Sequence, residues 1–311
     1  MRVASIGEMR RRLPAEFVEG LHALFPQSVA ERALKGMGAP RCTTFRANAL
    51  KTSGAEVVRL LHERHIRYRR PAWSADAFVL ADLDERDVES WDLYADGRIY
   101  LQNLSSMVPA LALAPMPGER VLDLAAAPGS KTTQMAAMMA NRGSILAVEA
   151  NAVRAQRLAY NVRLQGCAIV EVRRGWGEKI GAEMTAAFDR VLVDAPCSGE
   201  GRFTAGQPVT WKSWSKRTVG DCARVQRRLL ASGIRALKPG GTLVYATCTL
   251  NADENEAIVE GALASFPVSL ERIPVRVPGA LPGLRKAALA VRILPDRDYE
   301  GFFVCRMRKA V

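Results

Sequence analysis

Apolar residues recur along this chain in two rhythms, and the change between them divides it. Through the first hundred residues the pattern is mixed. Residues 15–36 read as two short helices, around Pro14-Ala-Glu-Phe and Ser28-Val-Ala-Glu-Arg. Thr43 to Ala49 alternates around Phe45 and reads as a strand. Ala55 to Arg64 has helical spacing, and Ile66 to Tyr68 reads as a second strand. A strand–helix–strand piece of this size implies a small α+β unit.

After about residue 100 a regular alternation of strand, loop and helix sets in. Strands are expected at Arg120 to Leu124, Ser144 to Val148, Ile169 to Val172, Phe188 to Asp194, Thr242 to Thr247 and Phe302 to Cys305. Helices are expected at Ser130 to Met139, Val153 to Leu164, Cys222 to Leu237 and Glu254 to Ala264. Pro239-Gly240-Gly241 should end the third of these helices. Such alternation predicts an α/β fold with a doubly wound parallel sheet. The organisation expected is a small module over residues 1–100 and a large α/β domain over residues 101–311. Ligands of such a sheet sit beyond the carboxyl ends of its strands, near the switch in strand order.

The first of those strands runs into Ala125-Ala126-Ala127-Pro128-Gly129-Ser130-Lys131. Small residues let the backbone approach a ligand, and the next helix offers free N–H groups. This is neither GxGxxG nor a Walker A loop, because Leu124 stands where the latter needs glycine. The second strand ends in Glu149, an acid placed to accept ribose hydroxyls. A nucleoside cofactor is the expectation; the alternative is merely a tight strand–helix turn.

Two later strands end in cysteines, in Asp194-Ala195-Pro196-Cys197-Ser198-Gly199 and in Ala246-Thr247-Cys248-Thr249. Buried cysteines often act as small hydrophobes. Two at matching strand ends above one cofactor loop suggest chemistry instead. Carbon 5 of cytosine is a poor nucleophile until a thiolate adds to carbon 6 and makes the ring an enamine. A group near N3, for which Asp194 is the candidate, stabilises the developing charge. The carbon-5 proton must then leave and the thiol be expelled, steps that a second thiol assists. Lys131 could favour the thiolate or bind substrate.

Charge narrows the partner. Forty-four Lys and Arg against 32 Asp and Glu leave a net +12. Residues 1–72 hold 14 basic and 6 acidic side chains, residues 73–98 hold 2 and 8, and residues 199–240 hold 9 and 2. Two basic blocks flanking an acidic stretch suit a polyanion such as nucleic acid. No two of the six cysteines have CxxC spacing, so neither a zinc site nor a thioredoxin-type motif is expected, and a chain this long with normal apolar content does not need disulfides. Reduced thiols and a cytoplasmic location follow. No secretory signal or membrane span is apparent. The three histidines precede the core, which argues against a Ser-His-Asp site. Trp211 and Trp214, beside Lys212 and Lys216, could stack on bases or anchor their own loop.

Six ordered motifs resemble the Rsm/NSun family of RNA 5-methylcytosine methyltransferases, nearest its RsmF branch. They are Val121-Leu-Asp-Leu-Ala-Ala-Ala-Pro-Gly-Ser-Lys-Thr-Thr-Gln, Asp194-Ala-Pro-Cys-Ser-Gly-Glu-Gly, Thr247-Cys-Thr with Glu254-Asn-Glu, Gln102-Asn-Leu-Ser-Ser-Met, Arg46-Ala-Asn-Ala-Leu-Lys and Glu300-Gly-Phe-Phe-Val. The resemblance implies a Rossmann-like S-adenosylmethionine methyltransferase sheet after an N-terminal RNA-binding module. Its cofactor would be S-adenosyl-L-methionine. Its substrate would be structured RNA, ribosomal RNA first and transfer RNA second, and the chain is expected to act as a monomer. The resemblance assigns Cys248 as nucleophile and Cys197 as the group that helps release product. Asp194 would contact the target cytosine near the cofactor. Ala125, Ala126, Ala127, Pro128, Gly129, Ser130 and Lys131 would line the cofactor, Glu149 would hold its ribose, and Arg154 occupies a motif position on the next helix.

Two departures stand out. Trp176, in Arg174-Gly175-Trp176-Gly177, fills a slot where the family has an acid contacting adenine. Tryptophan cannot accept a hydrogen bond, so stacking or edge contacts are expected there. The sequence also stops at Val311, whereas RsmF-type enzymes carry further RNA-binding domains; this leaves the target less defined than the chemistry. The competing readings are a transfer RNA methyltransferase and a non-catalytic RNA-binding or ribosome-assembly protein on the same scaffold. An amino-group methyltransferase would want an aromatic residue where Cys197 stands.

Overall fold

The computed structural model describes residues 6–204 and 206–311. Helices α1 (Ile6–Arg12), α2 (Ala15–Leu24) and α3 (Gln27–Met37) come first. A small antiparallel sheet follows, from β1 (Thr43–Ala47), β2 (Ala77–Leu80) and β3 (Ile99–Leu101), with α4 (Gly54–Glu63), α5 (Glu85–Glu89) and α6 (Asp92–Ala95) between its strands. Its order is β2-β1-β3. Its own apolar core gathers Phe45, Phe78, Val57, Leu61, Val88 and Trp91.

Helix α7 (Leu104–Leu113) leads into the large sheet. In chain order its elements are β4 (Arg120–Leu124), α8 (Ser130–Met138), β5 (Ser144–Glu149), α9 (Ala152–Leu164), β6 (Val170–Arg174), α10 (Gly177–Glu183), β7 (Phe188–Asp194), α11 (Lys216–Ala236), β8 (Leu237–Thr247), α12 (Glu256–Ser265), β9 (Val268–Glu271), β10 (Leu281–Pro282), β11 (Val291–Ile293) and β12 (Phe302–Lys309). The strand order is β10-β11-β12-β8-β7-β4-β5-β6, and β9 pairs with β12. The five strands β4 to β8 are mutually parallel, while β12 runs antiparallel to β8.

The order turns at β4. From there β5 and β6 build to one side, and β7 and β8 to the other. The crevice above such a turn is where ligands of open α/β sheets bind. Register makes the strand ends level: Leu124 lies beside Val148 and Val193, and Asp194 beside Ala246. Glu149, Asp194, the loop after Leu124 and Thr247-Cys248 therefore emerge at one rim.

Side-chain alternation along β4 feeds two cores. Val121 packs with Leu104, Met107, Met135 and Leu158 of α7, α8 and α9. Leu122 and Leu124 pack on the other face with Ile180, Leu229, Ile234 and Val259 of α10, α11 and α12. The N-terminal helices belong to neither face nor to the small sheet. Phe17, Leu21, Phe25 and Leu34 pack against Phe203, Leu250 and Leu294, next to the cysteine loops.

Several expected elements shift. Ile66 to Tyr68 forms no strand; the neighbouring Arg69 alone bridges Val79, and the partner of β1 is β2. Ile66 and Tyr68 instead lean on the small core as partly buried side chains. Helix α11 starts at Lys216, earlier than its apolar pattern suggests, capped by Ser215. Its first turn shows Lys216 and Arg217 to solvent, so apolar spacing does not mark it. It ends at Ala236, and Pro239-Gly240-Gly241 lies inside β8 beside a register shift at Phe188/Arg190. Glu254 precedes α12 rather than opening it. Helix α7 is hidden in the sequence by Pro109 inside it.

Candidate active site

The loop after β4 is built by its backbone. Ala126 N–H donates to Val148 O at 2.9 Å, and Gly129 N–H to Ala126 O at 2.9 Å. Ala125 and Gly129 both have left-handed backbone, with φ 59° and 105°. A Cβ on Gly129 would also sit 2.8 Å from Leu158 Cδ1, so glycine is needed twice over. The loop's carbonyls are tied to α9: Arg154 Nη2 donates to Ala127 O and Asn161 Nδ2 to Pro128 O, each at 2.8 Å. Helix α8 then begins at Ser130.

Glu149 is almost fully buried beside this loop. Its Oε1 accepts the Asn151 N–H at 2.9 Å. Its Oε2 has no hydrogen-bond partner. Arg154 Nη2 lies 3.5 Å away, an ion-pair distance without hydrogen-bond geometry. Trp176 is 61% exposed. Gly175 N–H donates to Glu149 O at 3.0 Å, which holds the indole-bearing turn beside the same strand end.

Lys131, on the first turn of α8, is buried, and its Nζ lies 2.7 Å from Asp194 Oδ2 and donates to Ser106 Oγ at 2.7 Å. The ammonium also stands 5.4 Å from the centre of the Phe302 ring. Buried ammonium groups require such pairing. At the next position, Thr132 Oγ1 donates to Asp123 Oδ2 at 2.6 Å, while Asp123 Oδ1 is buried without a hydrogen-bond partner. Burial pushes the Asp123 carboxyl up to about 7, only partly opposed by the Thr132 hydrogen bond.

Arg46 of β1 reaches across from the small sheet. Its Nε donates to Gln102 Oε1 at 2.8 Å, and its Nη2 to Thr133 Oγ1 at 2.6 Å and to Ser130 O at 3.2 Å. Burial lowers this guanidinium to about 10. The first turn of α8 is thus pinned from both sheets.

Cys197 and Cys248 converge, with Sγ to Sγ 3.2 Å. Both are partly exposed, unlike Cys42, Cys167 and Cys305. The Cys197 thiol is pushed well above its ordinary range, first by its hydrogen bond to Cys248 and then by burial. Cys197 therefore holds its proton strongly, and either sulfur can donate across the contact. The two loops are joined along the backbone as well, since Gly201 N–H donates to Cys248 O at 3.0 Å.

Residues 110–308 match the family described as 16S rRNA methyltransferase RsmB/F. The chain belongs to the RsmB/F family. Ribosomal RNA small subunit methyltransferase F of Serratia proteamaculans is 39% identical over 305 residues, 96% of this chain and 63% of that protein. Its Escherichia coli counterpart is 38% identical, over 95% and 63%. The RsmB/F chain thus spans 63% of the length of these curated relatives. A methyltransferase homolog protein from Pyrococcus horikoshii superposes with TM-score 0.84 at 32% identity, over 98% of both chains. NSun6 from the same organism, solved with SFG, shares the fold with TM-score 0.86 at 22% identity, over 97% of this chain and 100% of that one. The sheet is the Rossmann-like one of S-adenosylmethionine methyltransferases.

Around the RsmB/F cysteines lie groups to which sequence reasoning gave no role. Glu200, buried, accepts Trp214 Nε1–H at 3.1 Å and Asn251 Nδ2–H at 3.0 Å on one oxygen. Burial pushes its carboxyl up to about 7, with the nearby Glu254 adding to the effect. Trp211 and Trp214 are loop anchors here, packed with the N-terminal helices. Ser106, Asp123, Arg46 and Glu254 all stand inside the recognised motifs. Membership of those motifs was their signal, which does not say what each one touches. Among the described residues no group of three or more His, Cys, Asp or Glu could hold a metal ion. No helix among them is long and apolar enough to cross a membrane.

Proposed function

We propose that this chain methylates carbon 5 of a cytosine in structured RNA, small-subunit ribosomal RNA first, with S-adenosylmethionine as cofactor. The observation that carries the proposal is the Cys197–Cys248 pair at 3.2 Å, on the same rim as Asp194 and Lys131.

The residues fit the cofactor. The orphaned Glu149 Oε2 wants a donor, and a ribose hydroxyl is one. Gly129 keeps the loop backbone open, and Ala125 to Lys131 would line the cofactor, with Arg154 holding the loop at Ala127. Trp176 offers an exposed indole face to adenine in place of an acid. S-adenosylmethionine, when bound, supplies the electrophilic methyl group that carbon 5 accepts.

Cys248 Sγ adds to carbon 6 of the cytosine, and the electrons of the 5,6 double bond move toward carbon 5 and N3. Asp194 sits ion-paired with Lys131, so it acts as an acceptor for the base's amino edge while the Lys131 ammonium is the nearest proton-bearing group. Cys197, its thiol held protonated by the contact with Cys248 and by burial, is assigned to the release step and not to the attack. At release carbon 5 loses its proton to solvent, the electron pair of that bond re-forms the 5,6 double bond, and the carbon–sulfur bond breaks with Cys248 leaving as a thiolate that lies in hydrogen-bond contact with Cys197. The target base must be flipped or unpaired to reach this crevice. We assign residues 1–100 to RNA binding, together with the basic face of α11, where Lys216, Arg217, Arg224, Arg227 and Arg228 are exposed.

The test is transfer of a labelled methyl group from S-adenosylmethionine to ribosomal and transfer RNAs. Cys197→Ala should accumulate a covalent RNA adduct, and Cys248→Ala should form none. An adduct with Cys248→Ala alone would reverse the roles. No methylation of any RNA by the unaltered chain would sink the proposal.

A further inference from the structure

The chain enters α12 through Glu254-Asn255-Glu256, and all three side chains are fully buried. Consecutive buried polar groups are costly unless each is bonded. Each is bonded here, and each to a different segment of the site. Glu254 accepts Ser198 N–H at 2.9 Å, Ser198 Oγ–H, and Gln226 Nε2–H at 2.8 Å. Gln226 Nε2 also donates to Pro196 O at 2.8 Å. Pro196 and Ser198 are the two neighbours of Cys197. Asn255 accepts Thr247 Oγ1–H at 2.5 Å and donates through Nδ2 to Thr249 O at 3.0 Å. Thr247 and Thr249 are the two neighbours of Cys248. Glu256 pairs with the buried Arg292, whose Nη1 donates to Leu250 O at 2.8 Å. A Ser198–Thr249 hydroxyl contact of 3.0 Å closes the network.

We infer that Glu254 and Asn255 are positioning residues that divide the cysteine pair between them, Glu254 placing Cys197 and Asn255 placing Cys248. The inference rests on the methylation reading for its kinetic consequence, but not for its geometry. The Ser198 and Gln226 groups bonded to Glu254 are donors, so its two carboxyl oxygens serve as acceptors, and these bonds oppose the burial that raises its carboxyl above the usual range. Glutamine of the same size would turn an amide N–H toward one of those donors and break that contact.

Glu254→Gln and Asn255→Ala are the direct tests. Ser198→Ala and Thr247→Val cut the same two links more gently. Iodoacetamide labelling of the folded chain, mapped by peptide mass, reads each thiol without RNA. Cys197 should gain rate in Glu254→Gln and Ser198→Ala, and Cys248 in Asn255→Ala and Thr247→Val, each by about tenfold, the size of one hydrogen bond. The buried Cys167 and Cys305 should stay protected, as in the parent. With RNA and labelled S-adenosylmethionine, Glu254→Gln should accumulate an adduct as Cys197→Ala does. Asn255→Ala should slow methylation without one. The same cysteine responding in all four variants, or Cys305 opening along with it, would overturn the division of labour. A parent chain that methylates no RNA while the labelling pattern holds would sink the chemistry and leave the positioning intact.

Discussion

Glu200→Gln should become progressively more stable than the parent chain as the pH rises. Glu200 is buried between α2 and α11, at the wall of a cleft of about 450 Å³ that also exposes Glu16, Trp214, Lys216, Asp253 and Arg285. Burial moves its carboxyl from an ordinary 4.5 to about 7. An acid raised in this way binds its proton more tightly in the folded chain than in the unfolded one. The resulting stabilisation is complete below about pH 4.5 and is lost as the pH climbs through about 7. Between pH 5 and pH 8 the loss comes to about 2.5 kcal/mol. Glutamine keeps an oxygen for the Trp214 and Asn251 donors and has no proton to lose. Against the parent, the variant should therefore gain about 2.5 kcal/mol between those pH values, or about 5 °C in melting temperature. Asp123, raised for the same reason, is common to both proteins and cancels. Urea or thermal unfolding at pH 5, 6, 7 and 8 measures the difference. A parent–variant gap that does not change with pH would refute the burial argument for Glu200.

Three further outcomes are expected. Gly129→Ala meets both a φ of 105° and a 2.8 Å approach to Leu158, so it should destabilise the chain by about 1–3 kcal/mol. It should weaken binding of S-adenosylhomocysteine as well, which calorimetry and unfolding curves would show. Glu149→Gln removes an acceptor from the ribose position and should raise the dissociation constant of S-adenosylhomocysteine by about tenfold or more; an unchanged constant would place the ribose elsewhere. Diamide should join Cys197 to Cys248, whose sulfurs need only close from 3.2 Å to about 2.05 Å. Peptide mapping should find that bond, and dithiothreitol should restore methyl transfer.

Some of this protein was legible before its structure. The alternating strands and helices after residue 100 follow from local periodicity, because each element must turn an apolar face toward one sheet. The loop from Ala125 to Lys131 was legible for a similar local reason, since a strand, small residues and a helix start form a contiguous signal. The two cysteines could be placed at strand ends, because burial period and turn chemistry mark where a strand stops. Ile66 to Tyr68 shows the limit. Its alternation suits a strand, yet the backbone partner of β1 lies at Ala77–Leu80, and pairing is a choice among distant segments.

The arrangement that gives the site its character came only from tertiary contacts. Cys197 and Cys248 stand 51 positions apart in the sequence, which says nothing of a 3.2 Å approach. That approach depends on β7 and β8 lying in register, on Glu254 and Asn255 tying down the two loops, and on Gly201 passing against Gly301. Likewise the sequence offers Arg46 only as a motif residue, and Lys131 as a group to favour the thiolate, bind substrate or line the cofactor, without naming what either touches. The fold buries one against α8 and pairs the other with Asp194. Periodicity is a property of neighbours in the chain, so the sequence carries it openly. Proton placement, ion pairing and sulfur separation depend on groups far apart in the chain, and only packing decides which of them meet.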